Sequence, residues 1–179
     1  GAKPGDDLIL TKYAGIEGTS ILAFDYEEEL ASKFGMEIVE KAKSLINSIS
    51  VVNEGLIAAK LGAHAMHDVT EGGVLGAVWE MCHASGCGAH VYKERIPVLN
   101  ETRLICDYFN IDPYRLISSG CMLIACENGE KLVQELSENG IKAVVIGRMT
   151  GDRNILLSDE SGDVTISSPE SDELYKVNK

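Results

Sequence analysis

The run MHDVTEGGVLGAVWEMCHASGCG, residues 66–88, constrains this chain more than any other part of it. An acid, a hydroxyl, a second acid and a glycine pair stand directly before a helix-period apolar stripe of Val74, Leu75, Val78, Met81 and Cys82, which stops at Ser85 and Gly86. A turn of this kind can aim backbone N–H groups and the positive end of a helix dipole at an anion. Asp68 and Glu71 add carboxylates able to orient Mg²⁺ or take a proton. Thr70 and Glu71 read equally well as an ordinary helix cap.

Length and charge bound the rest. A chain of 179 residues, 45% of them hydrophobic, can bury one well-formed core, so one domain is the default. The sequence shows no apolar run of membrane-spanning length and no secretory leader, and it reads as a cytoplasmic, non-membrane protein. A formal charge of −12 disfavours nucleic acid and anionic membranes as partners. The five cysteines are an odd number, and the spacings of Cys82 to Cys87 and Cys121 to Cys126 match no common zinc pattern, so they read as buried thiols. His64, His67, His83 and His90 form no metal-binding pair.

The elements predicted from pattern are strands over residues 8–12, 64–67, 87–92, 121–126, 143–149, 154–157 and 164–167. Helices are expected over 26–46 (one or two), 52–61, from the 68–73 turn to residue 85, 102–109 and 129–138. Residues 13–20 form a small-residue loop between strand and helix. Lys12, Gly15, Gly18, Thr19 and Ser20, with the hydroxyls at the helix start, have the parts to receive phosphate, or to make a plain capped turn. Ser118, Ser119 and Gly120 can let backbone approach a ligand closely, or can simply turn. Trp79 sits one position off the apolar stripe. Residues 1–5 read as a linker or expression scar, 6–168 as the folded domain, and 169–179 as a polar, frayed tail.

These motifs occur in a recognisable order. GDDLILTK near the start, the 66–88 run, Ile96-Pro97-Val98, Asp112-Pro113 and Leu116-Ile117-Ser118-Ser119-Gly120 together resemble the C-terminal domain of the aminoimidazole ribonucleotide (AIR) synthetase superfamily. The look is nearest to its hydrogenase expression and formation proteins, which dehydrate a carbamoylated cysteine. The resemblance implies an α+β (α/β) domain with a mixed β-sheet packed with helices. It implies ATP and Mg²⁺ in the complete protein, neither held tightly by this chain alone, and phosphorylation of an amide or carbonyl oxygen. It also implies an N-terminal domain that supplies most Mg²⁺-binding aspartates and pairs in a homodimer.

On that resemblance Asp68 and Glu71 are catalytic candidates, with Asp68 a possible Mg²⁺ ligand. Lys12, Gly15, Gly18, Thr19, Ser20, Thr70, Gly72, Gly73, Ser119 and Gly120 are the phosphate and nucleotide candidates. Two departures stand out. Ser119 replaces a glutamate of the hydrogenase-maturation proteins, and no cysteine follows Cys126, whereas those proteins end on one. The alternative is a noncatalytic binding or scaffold domain that kept the fold.

Overall fold

A computed structural model describes residues 1–177. Seven strands form one sheet in the order β2-β4-β1-β5-β3-β6-β7. They are β1 (Asp7–Thr11), β2 (Ala65–Asp68), β3 (Gly88–Tyr92), β4 (Met122–Cys126), β5 (Ala143–Thr150), β6 (Ile155–Asp159) and β7 (Gly162–Thr165). All neighbours are antiparallel except β3 and β6, so the sheet is mixed as the resemblance implied.

Period-2 alternation splits the core between the two faces of the sheet. Leu8, Leu10, Leu123 and Ala125 point to one face, where they pack with Val74, Val78 and Met81 of α5 (Gly73–Ser85). Ile9, Met122 and Ile124 point to the other, toward Ala58 of α4 (Val52–Lys60) and Leu132 and Leu136 of α7 (Gly129–Glu138). A third cluster joins α1 (Ile16–Asp25), α2 (Glu27–Phe34), α3 (Met36–Ser44) and α6 (Asn100–Phe109) through Leu22, Leu30, Val39, Ile105 and Leu116. Among the described residues no helix is long and apolar enough to cross a membrane.

Most predicted elements appear within a few residues of their expected limits, and three expectations change. First, α1 begins at Ile16, because Gly15 takes a left-handed conformation (φ 73°) that turns the chain into the helix there. Thr19 and Ser20 are therefore interior helix residues and do not cap anything. Second, the start of the 1–5 stretch, expected as a linker or expression scar, packs on the domain. Ala2 is buried, and its N–H and the terminal amine both donate to Ser85 Oγ.

Third, the 169–179 stretch is not a frayed tail over its described part. Asp172 and Glu173 are buried, Glu173–Lys176 forms a 3-10 turn, and Leu174 and Val177 pack on the third core cluster. The last two residues of that stretch, 178–179, lie outside the described residues. Polar composition hid this docking, since its partners lie about a hundred positions away in sequence.

Candidate functional site

The topology brings Lys12, Asp68 and Gly120 to one end of the neighbouring strands β2, β4 and β1. Antiparallel pairing sets Asp68 at the end of β2 opposite Met122 at the start of β4, and Leu10 of β1 opposite Leu123. Gly120 and Lys12 therefore lie at the same end of the strands as Asp68. Val69 N–H donates to the Cys121 carbonyl at 3.0 Å, which fixes the turn against the start of β4.

Asp68 is exposed, and among the described residues neither its carboxylate nor the Thr70 hydroxyl has a hydrogen-bond or ion-pair partner. His67 bridges from behind: Nδ1 contacts the Asp68 carbonyl at 2.6 Å and Nε2 the Glu80 carboxylate at 2.8 Å. Glu71 is exposed and accepts the Tyr175 hydroxyl proton at 2.8 Å. Ser119 N–H donates to Glu17 Oε2 at 3.1 Å. Gly120 has φ 104°, and a Cβ on it would stand 2.6 Å from the Ser48 carbonyl oxygen. Gly120 is thus a close-packing glycine.

The donors at the start of α5 are already used. Gly72 N–H goes to Asp172 Oδ2 at 2.8 Å, Gly73 N–H to the Thr70 carbonyl at 3.1 Å, and Leu75 N–H to the Tyr114 carbonyl at 3.1 Å. A Cβ on Gly73 would sit 2.6 Å from the Tyr114 carbonyl oxygen, so that glycine is required by packing against the 114–115 backbone. Asp172 takes the place an external anion would fill at this helix end. Burial pushes its carboxyl above the ordinary carboxylate range, opposed by the N–H groups of Leu174, Gly72 and Ile117.

The polar groups of the 12–20 loop are engaged by the chain itself. Lys12, in a left-handed conformation (φ 54°), donates from Nζ to the carbonyls of Ser48, Ser50 and Gly120 and pairs with buried Glu54 at 2.6 Å. That ammonium has no proton left for a phosphate. Gly15 N–H donates to Ser118 Oγ at 2.6 Å, and a Cβ on Gly18 would lie 2.4 Å from Leu116 Cγ. Thr19 Oγ1 donates to Thr102 and Ser20 Oγ to the Lys43 carbonyl, both Thr19 and Ser20 being fully buried. The loop receives its own 116–118 segment and holds it in place. This fits the sequence as well as an anion loop does, because glycines and short hydroxyls serve close packing equally well.

The five cysteines are free and buried, and burial pushes Cys82, Cys106 and Cys121 up to about 12. Among the described residues no group of three His, Cys, Asp or Glu side chains is placed to hold a metal. Asp68 and Glu71 offer hard oxygen donors of the kind Mg²⁺ accepts alongside phosphate and water, but they form only part of a coordination set. The residues missed by pattern reading are Asp172, Tyr175 and Glu17. A readable signal existed for the first, because Ser171-Asp172-Glu173-Leu174 has the form of a capped helical turn.

The chain is similar in sequence and in fold to known proteins. The sequence matches the family described as AIR synthase related protein, C-terminal domain, over residues 3–159. It is 26% identical over 178 residues to a putative hydrogenase expression/formation protein of Methanocaldococcus jannaschii, covering 97% of this chain and 51% of that protein. It is 27% identical over 162 residues to the carbamoyl dehydratase HypE of Rhizobium leguminosarum bv. viciae, covering 86% and 43% respectively. The crystal structure of the hydrogenase maturation protein HypE in complex with ATP superposes with a TM-score of 0.72 at 19% identity, covering 97% of this chain and 53% of that one. The chain thus spans about half the length of these relatives. With most of its length matched and the same mixed-sheet fold, the chain belongs to the AIR synthase related family, as its C-terminal domain.

Proposed function

We propose that this chain is the C-terminal half of an ATP-dependent enzyme that activates an amide or carbonyl oxygen by phosphorylating it. The observation that carries this reading is the exposed Asp68 carboxylate with its neighbour Thr70. Both lack partners among the described residues and stand on a turn fixed from behind by His67, Val69 and Gly72. An unpartnered acid held this firmly at a sheet edge is suited to orient a metal ion or remove a proton.

The names of relatives point the same way. They include carbamoyl dehydratases and selenide, water dikinases, and a HypE structure contains ATP. ATP and Mg²⁺ bound to the full-length protein would supply the phosphoryl group, turning the substrate oxygen into a leaving group. In that protein Asp68 and Glu71 orient or deprotonate the substrate, Thr70 donates a hydrogen bond, and Ser119 lines the floor. An N-terminal half supplies the remaining carboxylates, and two full-length chains form a homodimer in the cytoplasm.

Phosphate contacts are left to that other half, since Lys12, Gly15, Gly18, Thr19, Ser20, Gly72 and Gly73 are committed to internal packing and hydrogen bonds. The same commitment favours a second reading, a scaffold domain that kept the fold without the chemistry. Asp68→Ala in the full-length protein separates the two. The enzyme reading expects ATP turnover to fall by roughly a hundredfold or more, and the scaffold reading expects no change.

A further inference from the structure

The segment that docks on the turn reaches it with two side chains in a fixed relation. Asp172 precedes the 3-10 turn Glu173–Lys176 and caps it, its Oδ1 accepting the Leu174 N–H at 2.9 Å. Asp172 is extended at the cap (ψ 147°) and Tyr175 lies within the turn. They strike consecutive residues: Asp172 Oδ2 takes the Gly72 N–H at 2.8 Å, and the Tyr175 hydroxyl donates to Glu71 Oε1 at 2.8 Å.

The opposite side of the segment is anchored independently. Leu174 and Val177 pack on the helical cluster, and Glu173 Oε2 accepts the Asp112 N–H at 3.2 Å. Pro169 closes the start of the segment, 2.8 Å from where a Cβ on Gly72 would stand. Tyr175 itself is 64% exposed, so burial of its ring does not account for where it sits. The anchored segment carries it to Glu71, to which its hydroxyl donates.

We infer that Tyr175 is a positioning residue of the site: it fixes the Glu71 carboxylate in one orientation, and Asp172 sets the register that lets it do so. This rests on the reading of the 68–73 turn as an active-site wall. A carboxylate on an exposed turn otherwise samples several rotamers, and a donated hydrogen bond selects one of them. The segment thereby belongs to the site, as the support that orients an acid it does not itself replace.

The test is a double-mutant cycle on Mg-ATP turnover by the full-length protein, using Tyr175→Phe, Glu71→Gln and the pair together. Tyr175→Phe keeps the ring and removes only the donor, so folding is preserved. Positioning through Glu71 predicts that it lowers kcat roughly threefold to thirtyfold, with KM for Mg-ATP within about twofold of wild type. In the Glu71→Gln background it should add nothing. Equal losses in both backgrounds, or no loss where Glu71→Gln alone is impaired, overturn the inference and leave the reading of the turn intact. Wild-type kcat in Glu71→Gln, or no turnover by the wild-type protein, removes Glu71 from the site and this inference with it.

Discussion

Gly72 gives its N–H to the Asp172 carboxylate at 2.8 Å, tying the first turn of α5 to a residue one hundred positions later in the chain. The bond puts a negative charge at a helix N-terminus, where the dipole favours it, and it leaves the acids of the preceding turn facing outward. The turn is thereby held by the protein's own anion, and its free chemistry is concentrated on Asp68 and Thr70.

That buried carboxylate predicts a pH signature. Folding raises the pKa of Asp172, burial outweighing the three N–H donors around it. The folded state then holds this proton more tightly than the unfolded one. Its contribution to stability is full below the ordinary carboxylate value and is lost as pH rises through the raised one. Urea unfolding of the wild type across that window, compared with Asp172→Asn, should show the substituted protein lacking this part of the pH dependence. Parallel curves would contradict the assignment.

Lys12 predicts a stability effect that needs no nucleotide. Removing its ammonium with Lys12→Met strands the buried Glu54 carboxylate and three carbonyls. The cost expected in denaturant unfolding of this chain alone is about 2–4 kcal/mol. A residue kept for phosphate would cost little in the absence of ligand.

Gly73 tests how firmly the turn is built. Its φ of 61°, and the Tyr114 carbonyl oxygen 2.6 Å from where a Cβ would stand, leave no room for a side chain. Gly73→Ala should destabilise the chain by about 2–3 kcal/mol, measured by denaturant unfolding. A change below about 0.5 kcal/mol would show the turn to be adaptable.

The thiols offer a chemical check. With all five buried and Cys82, Cys106 and Cys121 pushed up to about 12, the native chain should react slowly with an aromatic disulfide reagent at mildly alkaline pH. All five should react promptly once the chain is unfolded. A fast-reacting thiol in the native chain would point to an accessible cysteine.

Local pattern made some of this legible before the structure. The five buried residues of β4 and the apolar stripe of α5 followed from apolarity and period, since both are set by which face meets the core. The 68–73 turn followed from its glycine pair. What local pattern left open was the use of each polar group. Lys12 finds its acceptors on Ser48, Ser50 and Gly120, Thr19 its partner on Thr102, and Gly72 its acceptor on Asp172. Those pairings are long-range, and a glycine or hydroxyl that packs against its own chain has the same local sequence as one that cradles a phosphate.

Under the proposed function the Asp68 turn is one wall of an ATP-dependent active site completed elsewhere in the full-length protein. Calorimetric titration of Mg-ATP into that protein, with this 179-residue chain as the control, tests it most directly. The expected result is saturable binding by the full-length protein and none by the chain alone. No binding by either would contradict the claim and leave the scaffold reading in its place.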